Sequence, residues 1–404
     1  MKIISGGVCA AKGFFANGIH CGIRKNKTKR DLALIYSVCD CAAAAVYTTN
    51  KVKGAPLTVT KENISDGKAR CVICNSGNAN TCNANGIEVA KSTCEALASE
   101  LLIPARDVIV ASTGVIGQPL DIAPIVASLP GLKAGLSENG SQNAAEGIMT
   151  TDTKLKEIAV SFEVGGVECK IGGIAKGSGM IHPNMATMLV FITTDCKISS
   201  EMLNKALSSD IKNTFNMVSV DGDTSTNDMV AVLANGMAGN AEITAEGEAF
   251  DSFMQALNTV TVDLCRKIAA DGEGATKLLE CEVSGAKSET DAKIIAKSVI
   301  CSSLVKAAMF GADANWGRVL CAIGYSGASV DVGKVRVTFK SRAGEILVCD
   351  EGAGVEFSEE IAKEILLEDE IVIGVTLGDG DAKSKAWGCD LTYDYVKING
   401  DYRT

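Results

Sequence analysis

Only two histidines, His20 and His182, occur in the 404 residues. A nucleophile in this chain therefore has little access to the imidazole base on which most hydroxyl and thiol chemistry depends. The familiar catalytic patterns are also missing. Gly324-Tyr325-Ser326-Gly327 is followed by Ala328 and completes no nucleophile elbow, and neither an HExxH helix nor a GxxxxGK phosphate loop occurs. Gly378-Asp379-Gly380 runs on into Asp381, Ala382 and Lys383, which suits a tight turn after a strand better than a dinucleotide loop. The acidic run Asp221 to Asp228 begins like a calcium loop but lacks the central Gly and the terminal Glu. It reads as a turn whose short polar side chains satisfy their own backbone. Cys71 and Cys74 form a CxxC, but Cys82 and Cys94 supply no second pair at that spacing, so no metal site is expected.

The segment from Lys176 to Val190, KGSGMIHPNMATMLV, is different in kind. It sets Gly-Ser-Gly, a Pro and an Ala-Thr pair just ahead of an apolar run. A threonine hydroxyl placed there could act as a nucleophile. The same residues would equally serve a plain loop, Gly177 to Gly179, and a β-strand opened by the β-branched Thr187. Residue types alone leave both readings open.

The wording of that segment resembles the self-cleavage motif of the ornithine (glutamate N-) acetyltransferases of arginine biosynthesis. The resemblance runs over nearly the whole chain. It takes in GFFANG from Gly13, TTNKVKGAP from Thr48, NSGNAN from Asn75, ASTGVIG from Ala111, MTTDT from Met149, SVDGDTSTND from Ser219, DGEGATK from Asp271, GADANWGR from Gly311 and the C-terminal AWGCDLTYDYVKINGDYRT. It implies cleavage between Ala186 and Thr187, with Thr187 as nucleophile. The chemistry suits a chain poor in histidine: the freed α-amine, with an ordinary pKa of about 7.7 to 8, can take the proton of its own Oγ near neutral pH.

The resemblance further implies an oxyanion hole at Thr113 and Gly114, a hydroxyl and an unobstructed backbone N–H for the tetrahedral intermediate. It implies substrate contacts from Thr150, Lys176, Thr187, Glu273, Asn399 and Thr404. An amino-acid ligand carries a carboxylate and an ammonium, which call for a cation such as Lys176 and an anion such as Glu273. The implied reaction moves acetyl from N2-acetylornithine to glutamate, with acetyl-CoA as a further donor and no resident cofactor. The implied assembly is an α chain, 1–186, and a β chain, 187–404, two of each. Alternatives are a monofunctional acetyltransferase, a related self-processing amidohydrolase or aminopeptidase, and an amino-acid-binding protein that never cleaves. The chain departs from the family wording at Asn80 to Gly86 and at Gly400 after Asn399, and His182 is read as a loop residue.

These residues need a frame. DLALIYS, AAAAVYTT, ARCVICNSGNAN and ARDVIVASTGVIG read as buried strands, with helical periodicity over Gly86 to Leu102 and Ser137 to Met149. After Thr187 come a strand, MLVFITTD, and helices in SEMLNKALSSDIKNTF and AFDSFMQALNTVTVDLCRKIAA. One further helix, DAKIIAKSVICSSLVKAAM, and strands in KVRVTFK, GEILVCD and EIVIGVTLG suggest a smaller α/β lobe from about Val283. The fold class is mixed α/β, and the resemblance implies a layered αββα main domain up to about residue 282. The length allows about two or three domains.

A net charge of −10 and a pI near 5.0 speak against nucleic acid as partner. The opening MKIISGGVCAAKG has no apolar run of signal-peptide length, and no stretch approaches the roughly 18 apolar residues of a membrane span. Sixteen cysteines without a signal read as reduced core residues. The expected location is the cytoplasm, and the expected ligands are small molecules.

Overall fold

The computed structural model describes residues 1–182 and 188–400. Among these, a nine-stranded sheet runs in the order Lys2–Ile4, Lys156–Val164, Val167–Lys176, Leu189–Thr194, Met229–Ala234, Leu32–Tyr47, Lys68–Asn75, Val108–Ser112, with Phe14–Ile19 paired to Leu32–Tyr47 off this path. The 16-residue strand Leu32–Tyr47 decides its shape. Its first part pairs with Phe14–Ile19 and with Lys68–Asn75, its last part pairs with Met229–Ala234, and its register to Lys68–Asn75 shifts between Tyr36 and Cys41. An irregularity of this kind bends a strand and raises its twist. The sheet folds over there into two layers, with Ile35, Val72 and Ile109 of one packed in a common core with Ile174, Phe191 and Leu233 of the other.

Helices cover both outer faces. Gly86–Leu101 and Ala123–Ala134 lay Leu97 and Leu129 on Leu34, Ile73 and Val110. On the far side, Ser200–Asp210 and Glu248–Ala270 lay Leu203, Phe253 and Leu257 on Val190, Ile192 and Val232. The order helix, sheet, sheet, helix is the layered α/β arrangement expected.

Seven further strands form a second sheet, in the order Ala353–Gly354, Gly344–Asp350, Arg336–Ser341, Glu370–Thr376, Leu278–Ala286, Ala382–Cys389, Val218–Ser219. The long helix Glu248–Ala270 lies between the sheets and touches strands of both. The second sheet thus begins at Leu278 and recruits Val218–Ser219 from much earlier in the chain.

Two helices differ from the expected spans. The one expected from Ser137 starts at Ser141, because Ser137 and Ala16 exchange backbone hydrogen bonds of 3.0 and 3.1 Å that hold Ser137 extended. The one expected over DAKIIAKSVICSSLVKAAM is two, Glu289–Cys301 and Ser303–Phe310. Ser302 breaks it at ψ 112° and caps the second with its hydroxyl. All sixteen cysteines are unpaired and most are buried. Among the described residues no helix is long and apolar enough to cross a membrane, and no group of three His, Cys, Asp or Glu is placed to hold a metal.

Candidate active site

Strand Val108–Ser112 delivers Thr113 and Gly114 off its C-terminal end. The Thr113 N–H donates to the Asn75 carbonyl at 2.9 Å. Gly114 has φ +125°, and a Cβ there would stand 2.6 Å from the Gly77 carbonyl carbon, so only glycine fits. Asn75 donates from Nδ2 to Ser112 Oγ (2.7 Å) and accepts the Asn78 N–H at Oδ1 (3.1 Å). Asn227 completes the brace by donating to the Ala79 and Ser112 carbonyls at 2.6 and 2.9 Å, while its Oδ1 accepts from the Thr81 and Thr226 hydroxyls at 2.6 Å each. This wall is held by neutral amides and hydroxyls.

The facing wall is organised around buried charge. Lys176 ends strand Val167–Lys176, and the next N–H, of Gly177, donates to Asp152 Oδ1 at 2.7 Å. The Thr150 N–H donates to the other oxygen of the same carboxylate at 2.9 Å. Lys156, with its side chain fully enclosed, joins Asp152 at 2.7 Å to Asp271 at 2.5 Å. Burial alone would push the Asp152 carboxyl up, but the ammonium groups of Lys156 and Lys176 and the donated hydrogen bonds overcome it and hold the group well below the usual carboxylate range. Asp271 in turn accepts the N–H groups of Thr153 and Lys154, and its own carbonyl accepts from Ser178 Oγ at 2.7 Å. Two residues on, the Glu273 N–H donates to the Ser178 carbonyl at 3.0 Å, and Glu273 Oε2 accepts from Asn399 Nδ2 at 2.7 Å. A Cβ on Gly179 would meet that carboxylate at 2.3 Å, so a glycine lets the two segments close.

Between these walls lies a cavity of about 510 Å³. Thr113, Gly114, Thr150, Lys176, Glu273 and Asn399 all line it, although they come from five separate parts of the chain. Ala186, Thr187 and Thr404 lie outside the described residues. Met188, the residue after Thr187 in the chain, is in the lining.

Residues read from the sequence only as part of a turn also reach the cavity, above all Thr226, Asn227 and Asp228. The expectation that the Asp221 to Asp228 loop satisfies its own backbone is thereby corrected in part. Asp221 does accept the Asp223 N–H at 3.2 Å, yet it also accepts those of Met180 and Ile181 at 2.6 and 2.9 Å, and Asn227 braces the opposite wall. Polar side chains in this loop cross-link distant segments. His182 is a loop residue; its Nδ1 lies 3.1 Å from Ser219 Oγ, and burial, helped by the nearby Lys297 charge, brings its pKa down to about 4.

The ArgJ family model matches residues 15–404. The chain belongs to the ArgJ family. It is 50% identical over 405 residues to the arginine biosynthesis bifunctional protein ArgJ of Caldanaerobacter subterraneus subsp. tengcongensis, covering all of both chains. It is 50% identical over 392 residues to ArgJ 1 of Clostridium acetobutylicum, covering 97% of this chain and 96% of that one. Among solved structures, the ArgJ of Bacillus halodurans matches at 48% identity with a TM-score of 0.51, covering 52% of this chain and 98% of the solved one. In chemical terms this ArgJ-family cavity offers a hydroxyl and an N–H for a developing oxyanion, an ammonium for a ligand carboxylate, and a carboxylate with an amide for a ligand ammonium.

Proposed function

We propose that this chain is a self-processing acetyltransferase that moves acetyl from N2-acetylornithine to glutamate through an acetyl-Thr187 intermediate. The observation that carries the reading is the convergence of Thr113, Gly114, Lys176, Glu273 and Asn399 on one cavity, with Met188 in its lining. In the first event Thr187 Oγ attacks the Ala186 carbonyl, the acyl group shifts from nitrogen to oxygen, and water hydrolyses the ester. Chains 1–186 and 187–404 result. That the Bacillus halodurans chain is covered over 98% of its length by only 52% of this one supports such a division.

In the transfer itself the freed α-amine accepts the Oγ proton as Oγ attacks the acetyl carbonyl of N2-acetylornithine. Thr113 and Gly114 stabilise the oxyanion, and ornithine leaves with the proton. Glutamate then attacks the acetyl ester, gives N-acetylglutamate and restores the free hydroxyl. Lys176 holds the ligand carboxylate and Glu273 its ammonium, with Thr150, Asn399 and Thr404 orienting it. Acetyl-CoA serves as a second donor, a reading supported by relatives named bifunctional. Thr187 carries the acetyl group covalently, so no resident cofactor is needed. The working form is a tetramer of two α and two β chains in the cytoplasm, a reducing compartment in keeping with sixteen unpaired cysteines.

The test is the mass of the denatured protein beside a Thr187→Ala variant, followed by assays with N2-acetylornithine or acetyl-CoA as donor and glutamate or water as acceptor. Two fragments parting between residues 186 and 187, absent from the variant, with glutamate acetylated, are expected. A full-length wild-type chain sinks the mechanism, and hydrolysis without transfer to glutamate replaces it with an amidohydrolase.

A further inference from the structure

One short run opposes the charge of the chain as a whole. Arg24-Lys25-Asn26-Lys27-Thr28-Lys29-Arg30 holds five cations and no acid, in a sequence whose net charge is −10. Its arginines have structural partners. Arg24 donates from Nε to the Ser76 carbonyl at 2.8 Å and from Nη2 to the Met149 carbonyl, and Arg30 pairs with Glu146 at 2.7 Å. Lys25, Lys27 and Lys29 are exposed and make no ion pair among the described residues. Three like charges set two residues apart repel one another, and nothing in the fold offsets that repulsion.

The lysines ride on a fastened loop at the edge of the cavity. The buried Asp31 accepts the N–H of Cys21 at 2.6 Å and that of Arg24 at 2.9 Å, which closes the loop at its base. Ile23 and the stem of Arg24 cover Gly77, where a Cβ would stand 2.4 Å from Ile23 Cγ2 and 3.2 Å from Arg24 Cγ. Gly77 is the residue against which Gly114 of one wall lies, and Met149, held by Arg24, precedes Thr150 of the other. The loop therefore spans the two walls from outside. Inside, Lys176 is the one cation among the described lining residues, beside the carboxyl groups of Asp228 and Glu273.

Acetyl-CoA as a donor makes a demand that this interior does not meet. It presents its thioester at the end of a long pantetheine arm whose other end carries a diphosphate and a 3′-phosphate, all ionised at neutral pH. Lys176 serves an amino-acid carboxylate in the scheme above. An acidic protein repels a polyanion unless a local patch of opposite sign receives it. Lysine suits such a patch, because its ammonium binds phosphate as a point charge on a flexible stem. We propose that Lys25, Lys27 and Lys29 form an outer subsite for acetyl-CoA, receiving its diphosphate and 3′-phosphate while the acetyl end enters the cavity. The proposal rests on the reading of acetyl-CoA as a second donor. N2-acetylornithine carries no phosphate and makes no use of the subsite.

The experiment compares the full-length wild type with a variant combining Lys25→Gln, Lys27→Gln and Lys29→Gln. A control combining Lys340→Gln, Lys363→Gln and Lys383→Gln, exposed residues in and beside the second sheet, removes the same charge elsewhere. Each is assayed for acetyl transfer to glutamate from acetyl-CoA, from 3′-dephospho-acetyl-CoA and from N2-acetylornithine. A wild type that uses N2-acetylornithine but never acetyl-CoA removes the donor reading, and the subsite with it, before any variant is compared. With an acetyl-CoA-using wild type, the loop variant should lose about tenfold in kcat/KM for acetyl-CoA with kcat unchanged. It should also lose the wild-type preference for acetyl-CoA over the dephospho form, and keep its kcat/KM for N2-acetylornithine. Added salt should raise the KM for acetyl-CoA in the wild type and the control more than in the loop variant. An unchanged kcat/KM for acetyl-CoA in the loop variant overturns the proposal. So does an equal loss with N2-acetylornithine, or an equal loss in the control, which would make the effect one of net charge alone. Should the loop variant not fold, Lys27→Glu decides by the same comparison of the three donors.

Discussion

The two walls of the cavity are built from different physics. Thr113 and Gly114 are braced by neutral donors and acceptors, Asn75, Asn227 and the hydroxyls of Thr81 and Thr226. Thr150, Lys176 and Glu273 hang from a buried ion cluster in which Lys156 is clamped by Asp152 and Asp271. The neutral brace costs little to bury and does not titrate, which suits the oxyanion role proposed for Thr113 and Gly114. The charged cluster is expensive to assemble and fails badly when a partner is lost. In return it brings three chain segments to one cavity, with Lys176 in its lining.

Removing the centre of the charged wall should have the largest effect. Lys156→Met leaves two carboxylates buried together and is expected to destabilise the protein by roughly 3 to 5 kcal/mol, measured by urea unfolding. A loss under about 1 kcal/mol would mean that water reaches the cluster and that the contrast between the walls is false. Thr113→Val attacks the neutral wall and should do the converse. Turnover is expected to fall by roughly a hundredfold to a thousandfold with little change in the unfolding midpoint, and equal losses of stability and rate would blur the distinction.

The smallest effect is expected outside both walls. His182 has a folded pKa of about 4, below the ordinary unfolded value of about 6.5. As pH falls through that window the unfolded chain takes up the proton first, so the wild type loses stability between the two values. His182→Gln should flatten this part of the stability profile while leaving turnover above pH 7 unchanged. A loss of activity there would draw His182 into the site.

The contrast between the walls also explains what could be read in advance. Strands ending in Gly-rich turns, the segment before Leu189, and the residues Thr113, Gly114, Thr150, Lys176, Glu273 and Asn399 were visible as local patterns or as family wording. Asp152 and Asp271 lay inside that wording with no role attached and Lys156 lay outside it, although the three hold three of those residues in place. A Lys with one Asp four residues before it and another far off in the chain looks like solvated surface. Lys156 and Asp271 are separated by 115 positions, as are Asn227 and Ser112. Asp228 was passed over for the same reason, since an acidic residue in a turn-rich run gives no sign that its carboxyl faces inward.

The sequence by itself determined the alternation of strands and helices and which side-chain chemistries were at hand, because those depend on periodicity and residue type within short windows, while the layered class was implied by the family resemblance carried by ordered blocks along the chain. Only the tertiary structure decided that the sheet folds over at Leu32–Tyr47, that five separated segments share one cavity, and which charges are buried beside it. Burial and pairing are properties of neighbours brought together by the closing of the two layers. No stretch of chain carries them alone.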